Sequence, residues 1–288
     1  MTEINSSSGG LLLLGVLSTI ILWYGSKIGF FHFRPDPTWN KKISFRHLSI
    51  PFAIYFLIEF VATPIYLHYG KPMIDIDKTS QVAIISYFNF FISAAILTSF
   101  LLYFCFLNKQ IRLNIWRNQT NPPNYNEDLK QTFLGWCIGF PVILFTGQLL
   151  ELIVYFLFNV KEIPDQLAVY FVKMTFNYPF YFFLAILTVT IFAPLIEEIL
   201  FRGFLQSWIR KYLGSTSAII LSSLSFSFFH YSFGQGLANI SIIGSLFPLA
   251  LILGFLYEKR GSLFSSIALH SLFNTVSILN LYFLGKLP

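Results

Sequence analysis

The stretch AIISYFNFFISAAILTSFLLYFCFL, Ala83–Leu107, runs for 25 residues without a charge. A helix that crosses a bilayer needs about 20 consecutive apolar residues, and this run exceeds that. Similar runs lie on both sides of it. Upstream are Leu11–Phe31 and Ser49–His68; downstream are Phe133–Phe158, Tyr178–Phe201, Ala218–Phe233, Ile240–Tyr257 and Leu263–Leu284. The expected fold is therefore all-α: a polytopic membrane protein with about eight transmembrane helices. Gly214 and Gly261 punctuate tight hairpins. Asn108–Lys130, with Pro122 and Pro123, is the longest polar connection and reads as a loop. The first ten residues carry no basic side chain ahead of their apolar run, so they read as the start of a span rather than a cleaved leader.

Composition supports the same class. Only 11% of the 288 residues are charged while 55% are hydrophobic, and the mean hydropathy is +0.66. A water-soluble domain carries roughly a quarter charged residues, so this chain could not cover its own surface in water. The net charge of +6 is spread between apolar runs and forms no nucleic-acid-binding patch. Cys105 and Cys137 fall inside apolar segments and read as small inert hydrophobes.

The basic residues alternate from one connection to the next. Lys27, Arg34, Lys41, Lys42 and Arg46 precede the second span, and Lys109, Arg112, Arg117 and Lys130 precede the fourth. Arg202, Arg210 and Lys211 follow the fifth, and Lys259 and Arg260 follow the seventh. These are 14 of the 19; Lys71, Lys78, Lys161, Lys173 and Lys286 fall on the opposite side. Positive charge collects on the cytoplasmic side of membrane proteins, which puts the 14-charge face in the cytoplasm.

Ionisable groups inside apolar helices are costly and need a partner or a purpose. Three clusters stand out. In Pro194–Arg202, Glu198 and Arg202 lie one turn apart with the acid first, a favourable pairing. Glu197 lies about 100° round the helix, which leaves it as the free carboxylate. Pro194 has no backbone N–H, so it frees the Thr190 carbonyl and should kink the span. The second cluster ends at His230. If spans five and six turn at Gly214, Glu197 is 17 residues before the turn and His230 is 16 after it, so both reach the same depth. The third is His270 with Asn274, one turn apart on one face. Neither needs a charge to donate a hydrogen bond, and two such donors can form an oxyanion hole. The plainer readings are acids at a helix end, a core histidine and a polar pair joining helices.

Glu197-Glu198-x-x-x-Arg202, then Phe226-x-x-x-His230, then His270-x-x-x-Asn274, in this order on successive spans, resembles the CPBP family. These are the CAAX protease or Abi intramembrane proteases related to the type II CAAX prenyl endopeptidase. The resemblance covers Tyr178 to Leu284 and every defining position of the three motifs, and Glu258–Leu263 is similar to the family's usual approach to the last one. It implies an N-terminal four-helix region, 1–170, and a catalytic membrane core, 171–288. It also implies that Glu197 and His230 activate the attacking water, that His270 and Asn274 stabilise the oxyanion, and that Glu198 and Arg202 hold the site in shape. The expected substrate is a membrane-associated peptide or protein, with a prenylated tail as one form of it. The expected location is a multi-pass one, in the cell membrane of a prokaryote or the endoplasmic reticulum of a eukaryote.

Such a site needs water, so a polar cavity should open from one membrane face between spans five and eight. No cofactor is implied. A divalent metal such as zinc is the alternative, since Glu197, Glu198, His230 and His270 include carboxylate and imidazole ligands; against it, there is no His-Glu-x-x-His, and Glu198 is spent on Arg202. A second alternative is a non-catalytic protein of the same fold, acting in peptide self-immunity or as a scaffold.

Overall fold

A computed structural model describes residues 2–36, 39, 43–69, 77–119, 123–160 and 164–283. Lys41, Lys42, Lys71, Lys161, Lys286, Pro122 and Leu284 of the sequence reading lie outside them. Every element among the described residues is helical. In order they are α1 (Thr2–Lys27), α2 (Phe45–Tyr69), α3 (Lys78–Phe106), α4 (Lys109–Trp116), α5 (Tyr125–Phe158), α6 (Leu167–Thr175), α7 (Pro179–Leu187), α8 (Ala193–Glu198), α9 (Ser207–Phe229), α10 (Ala238–Arg260) and α11 (Leu263–Phe283). The helix continues from α7 to α9 through two π-helical stretches, Thr188–Phe192 and Ile199–Gln206. Leu13, Trp23, Phe60, Phe91, Phe106 and Phe156 are among many large apolar side chains left exposed. On a protein in water these would be a liability; against lipid they are the expected surface. The chain is a multi-pass membrane protein.

Seven helices among the described residues are long and apolar enough to cross a bilayer, and one of them, Pro179–Phe229, has 51 residues. At 1.5 Å per residue it would reach about 77 Å if straight, far beyond the roughly 30 Å hydrocarbon core. It is not straight. Gly214 has φ 77° and ψ 173°, a conformation essentially reserved for glycine, and the chain doubles back there. Ser222 Oγ donates to Gln206 Oε1 at 3.1 Å across the turn, and these residues lie eight before and eight after Gly214. The expected hairpin between spans five and six is therefore present. Its second arm is short. Helix α9 ends at Phe229, a 3₁₀ turn follows over Phe233–Gln235, and α10 begins at Ala238. The expected span Ala218–Phe233 thus stops at His230, about 24 Å from the turn.

Two connections are more ordered than the sequence suggests. Asn108 caps α4 by accepting from Gln110 N at 2.9 Å. Ile111 and Ile115, one turn apart, are buried against the hairpin, where a Cβ added to Gly203 would lie 3.0 Å from Ile115. Helix α5 begins at Tyr125, capped by Asn124, eight residues before the apolar run that marked its span. The expected loop is thus largely helical, because a short amphipathic stretch gains its stability from packing that polarity alone does not reveal. Helix α6, between α5 and α7, has the same explanation, with Phe171 and Val172 buried. The charged residues Arg117, Asp128 and Arg260 then tie the chain together. Both arginines contact Asp128, which is fully buried, and Arg260 Nε donates to its Oδ1 at 2.8 Å.

Replacing Gly214 with Ala should cost about 1–3 kcal/mol, because a Cβ is disfavoured at that backbone conformation although no neighbouring atom lies within 4 Å. Thermal unfolding in detergent reads this directly. An unchanged midpoint would mean that the hairpin does not depend on the glycine.

Candidate active site

The three motifs meet where the two arms of the hairpin face α11. Glu197 Oε2 lies 3.7 Å from His230 Nε2 and 3.8 Å from His270 Nε2. The equal depth expected for Glu197 and His230 is present as contact. Glu197 Oε2 is buried and has no hydrogen-bond partner in the protein. His230 is fixed from behind: its Nδ1 is 2.9 Å from the Phe226 carbonyl. A carbonyl only accepts, so Nδ1 carries a proton, and Nε2 is the nitrogen turned to Glu197.

The adjacent acid lives in a different environment. The Glu198 side chain is fully buried, whereas that of Glu197 is 16% exposed. Glu198 Oε1 accepts from Arg202 Nη1 at 3.0 Å and from His270 Nδ1 at 2.9 Å. Arg202 Nη2 donates to the Ala250 carbonyl of α10 at 3.0 Å, and its guanidinium lies 4.6 Å from the ring centre of Phe226. Phe226 also packs on His230 and presents an edge toward His270, with centroids 4.9 and 5.8 Å away. Arg202 and Glu198 are one turn apart as the spacing predicts, but His270 shares the same carboxylate oxygen. This changes one expectation. With its Nδ1 proton committed to Glu198, a neutral His270 would offer an acceptor at Nε2. It donates there only as the doubly protonated ring.

Asn274 is held by an exception in the helix. Ala193 N bonds to Thr188 O, five residues back, in the π-helical register. The next bond of that register would run from residue 194 to Val189, and Pro194 has no N–H to make it. The Val189 carbonyl instead accepts from Asn274 Nδ2 at 2.9 Å. Within the π register, Pro194 thus leaves the Val189 carbonyl for Asn274. The second amide proton of Asn274 is available to the cavity.

That cavity has a volume of about 640 Å³ and contains Glu197, His230, His270 and Asn274 in its wall. Spans five to eight supply only part of it. Tyr55 of α2, Asn89 and Ser93 of α3, and Gln148 and Glu151 of α5 also line it, as does α6. These polar side chains sit inside apolar spans and were legible by the same cost argument that picked out the acids.

Residues 179–276 match the family model described as type II CAAX prenyl endopeptidase Rce1-like. The matched stretch contains all three motifs. The chain is also 30% identical over 159 residues to the UPF0177 protein YaiF of Lactococcus lactis subsp. lactis (strain IL1403). That alignment covers 53% of this chain and 66% of the relative, just under two thirds of its length. No solved structure matches the chain.

Removing one partner from a buried ion pair leaves an uncompensated charge. Glu198→Gln should therefore lower stability by roughly 3–5 kcal/mol, and adding Arg202→Met should restore part of the loss. The unfolding midpoints of the single and double variants test this. Additive losses would show that the two side chains are not energetically coupled.

Proposed function

We propose that this chain, whose residues 179–276 match the Rce1-like family model, is an intramembrane endopeptidase. It hydrolyses a peptide bond of a membrane-associated substrate, prenylated or not, with water activated by Glu197 and His230. The observation that supports this most is the convergence of Glu197 Oε2 with two imidazole nitrogens, at 3.7 and 3.8 Å, on the wall of the cavity.

Two acceptors 3.7 Å apart leave room for one water oxygen about 2.8 Å from each. Such a water donates a proton to Glu197 Oε2 and another to His230 Nε2. As its oxygen attacks the carbonyl carbon, Glu197 takes the proton and later returns it to the leaving amine. The new oxyanion is stabilised by donors aimed where charge develops. Asn274 Nδ2 offers its second proton there, fixed in direction by Val189. His270 offers Nε2–H as the imidazolium, its charge balanced by Glu198 through Nδ1. The buried set is then neutral: two carboxylates against Arg202 and His270. Glu198 and Arg202 touch no reacting atom and position His270.

A bound zinc ion remains the alternative for the same residues, since Glu197 and the two histidines converge. It would polarise the carbonyl and lower the pKa of water. Among the described residues, however, no trio of His, Cys, Asp or Glu is arranged to hold an ion, and Glu198 is committed to Arg202 and His270.

Glu197→Gln keeps the shape of the side chain without a base. It should lower peptide cleavage by about 10²-fold or more while the protein remains folded and extractable. Substrates are found by comparing membrane peptides from cells with and without the protein, and the variant is then assayed on them. Wild-type activity in the variant would end the glutamate mechanism. Separately, active protein should hold well under one equivalent of transition metal and keep its activity through chelation. Stoichiometric zinc that tracks activity and is lost on His230→Ala would make the histidines ligands.

A further inference from the structure

The core is closed by packing at one end, and its cavity extends toward the other. The sealed end is built from buried polar groups beyond Glu198. Gln206 Nε2 donates to the Gly254 carbonyl at 2.9 Å and to Glu258 Oε1 at 3.1 Å, and Arg210 Nη1 donates to Glu258 Oε2 at 3.3 Å. The approach is tight: a Cβ on Gly254 would lie 2.7 Å from Gln206 Oε1. Tyr257 OH donates to the Ile115 carbonyl at 3.2 Å, which brings α4 over the same end. Arg210 also donates to the carbonyls of Asp36 and Trp39, so the connection after α1 lies across it too. Every connection that meets here belongs to the set with 14 of the 19 basic residues.

The cavity runs the other way. From His270 it follows α11 past Ser277 to Leu281, 11 residues or about 16 Å along the helix. Its far wall includes Gln166 and Gln235. Gln235 Nε2 donates to the Asp165 carbonyl at 2.9 Å, so the segments before α6 and before α10 meet there. Both belong to the connections poor in basic residues. Positive charge marks the cytoplasmic face, and the cavity extends away from it.

We propose that the scissile bond reaches Glu197 from the non-cytoplasmic side. The substrate is a peptide segment of an exported or membrane-anchored polypeptide, presented at that surface. A lipidated tail at the cytoplasmic surface would meet the sealed end instead. An extended chain covers about 3.3 Å per residue, so about five residues separate the surface from the cleaved bond. This inference rests on the protease reading for its substrate, while the side of entry is independent of turnover.

The test uses single cysteines in a chain with Cys105 and Cys137 replaced by Ala, probed with a membrane-impermeant maleimide in intact bacterial cells and in inverted membrane vesicles. Ala168→Cys, on the far cavity wall, should label in intact cells. Gln119→Cys, exposed at the sealed end, should label only in inverted vesicles. If Ala168→Cys does not fold, Ser232→Cys, also on the cavity wall, takes its place. Labelling of the cavity-wall cysteine only in inverted vesicles would overturn the proposal. The same measurement in a Glu197→Gln background should give the same pattern, so failure of the entry side and failure of the protease mechanism are told apart.

Discussion

The structure of the core depends on a charged cluster taken out of water. Glu198, Arg202 and His270 share contacts at 2.9 and 3.0 Å, and Arg202 reaches on to the Ala250 carbonyl. One carboxylate thereby ties the hairpin to α10 and α11, the elements that carry the rest of the site. Desolvating these ions is expensive, and packed apolar side chains would hold helices together at least as well. Glu198 Oε2 and Arg202 Nε are buried without partners, which adds to the cost. A stability role alone does not account for such an arrangement. Under the proposed mechanism, orienting the His270 ring toward Glu197 does.

Phe226 separates the wet and dry halves of the site. It lies under the Arg202 guanidinium and beside both imidazoles. It is itself fully buried. Two neighbouring acids consequently face different media. Glu197 looks into a cavity large enough for water and peptide, and Glu198 into a closed ionic cluster. Their different surroundings follow from the helix turning about 100° per residue, with the Phe226 ring packed against Arg202.

The fold was largely legible because the membrane imposes length and polarity so strictly. Runs such as Ala83–Leu107 have no alternative to spanning, and Gly214 marks the hairpin by its dihedrals as well as its identity. Helices α4 and α6 were not legible. Each is under ten residues long and owes its form to buried contacts that spacing does not disclose. At the site, the grouping of Glu197, His230 and His270 followed from ordered motifs and helix geometry. The Val189 carbonyl did not, since no periodicity rule anticipates a change from α to π register. Gln148 and Glu151 were readable as polar intrusions in an apolar span, and their meaning emerges only with α5 packed beside α10 and α11.

The π stretch before the acid pair has a consequence for how such a site can change. A π turn is in effect one extra residue accommodated within an α-helix. Its wider turn, closed from residue i to i+5, completes about the same rotation as an α turn with one residue fewer. The segment Thr188–Phe192 therefore takes up the extra residue without changing the face on which the two glutamates lie. Such a site can gain or lose that residue and keep the surroundings of its acids. The π stretch serves the seam with α11 instead, where the Val189 carbonyl is met by Asn274.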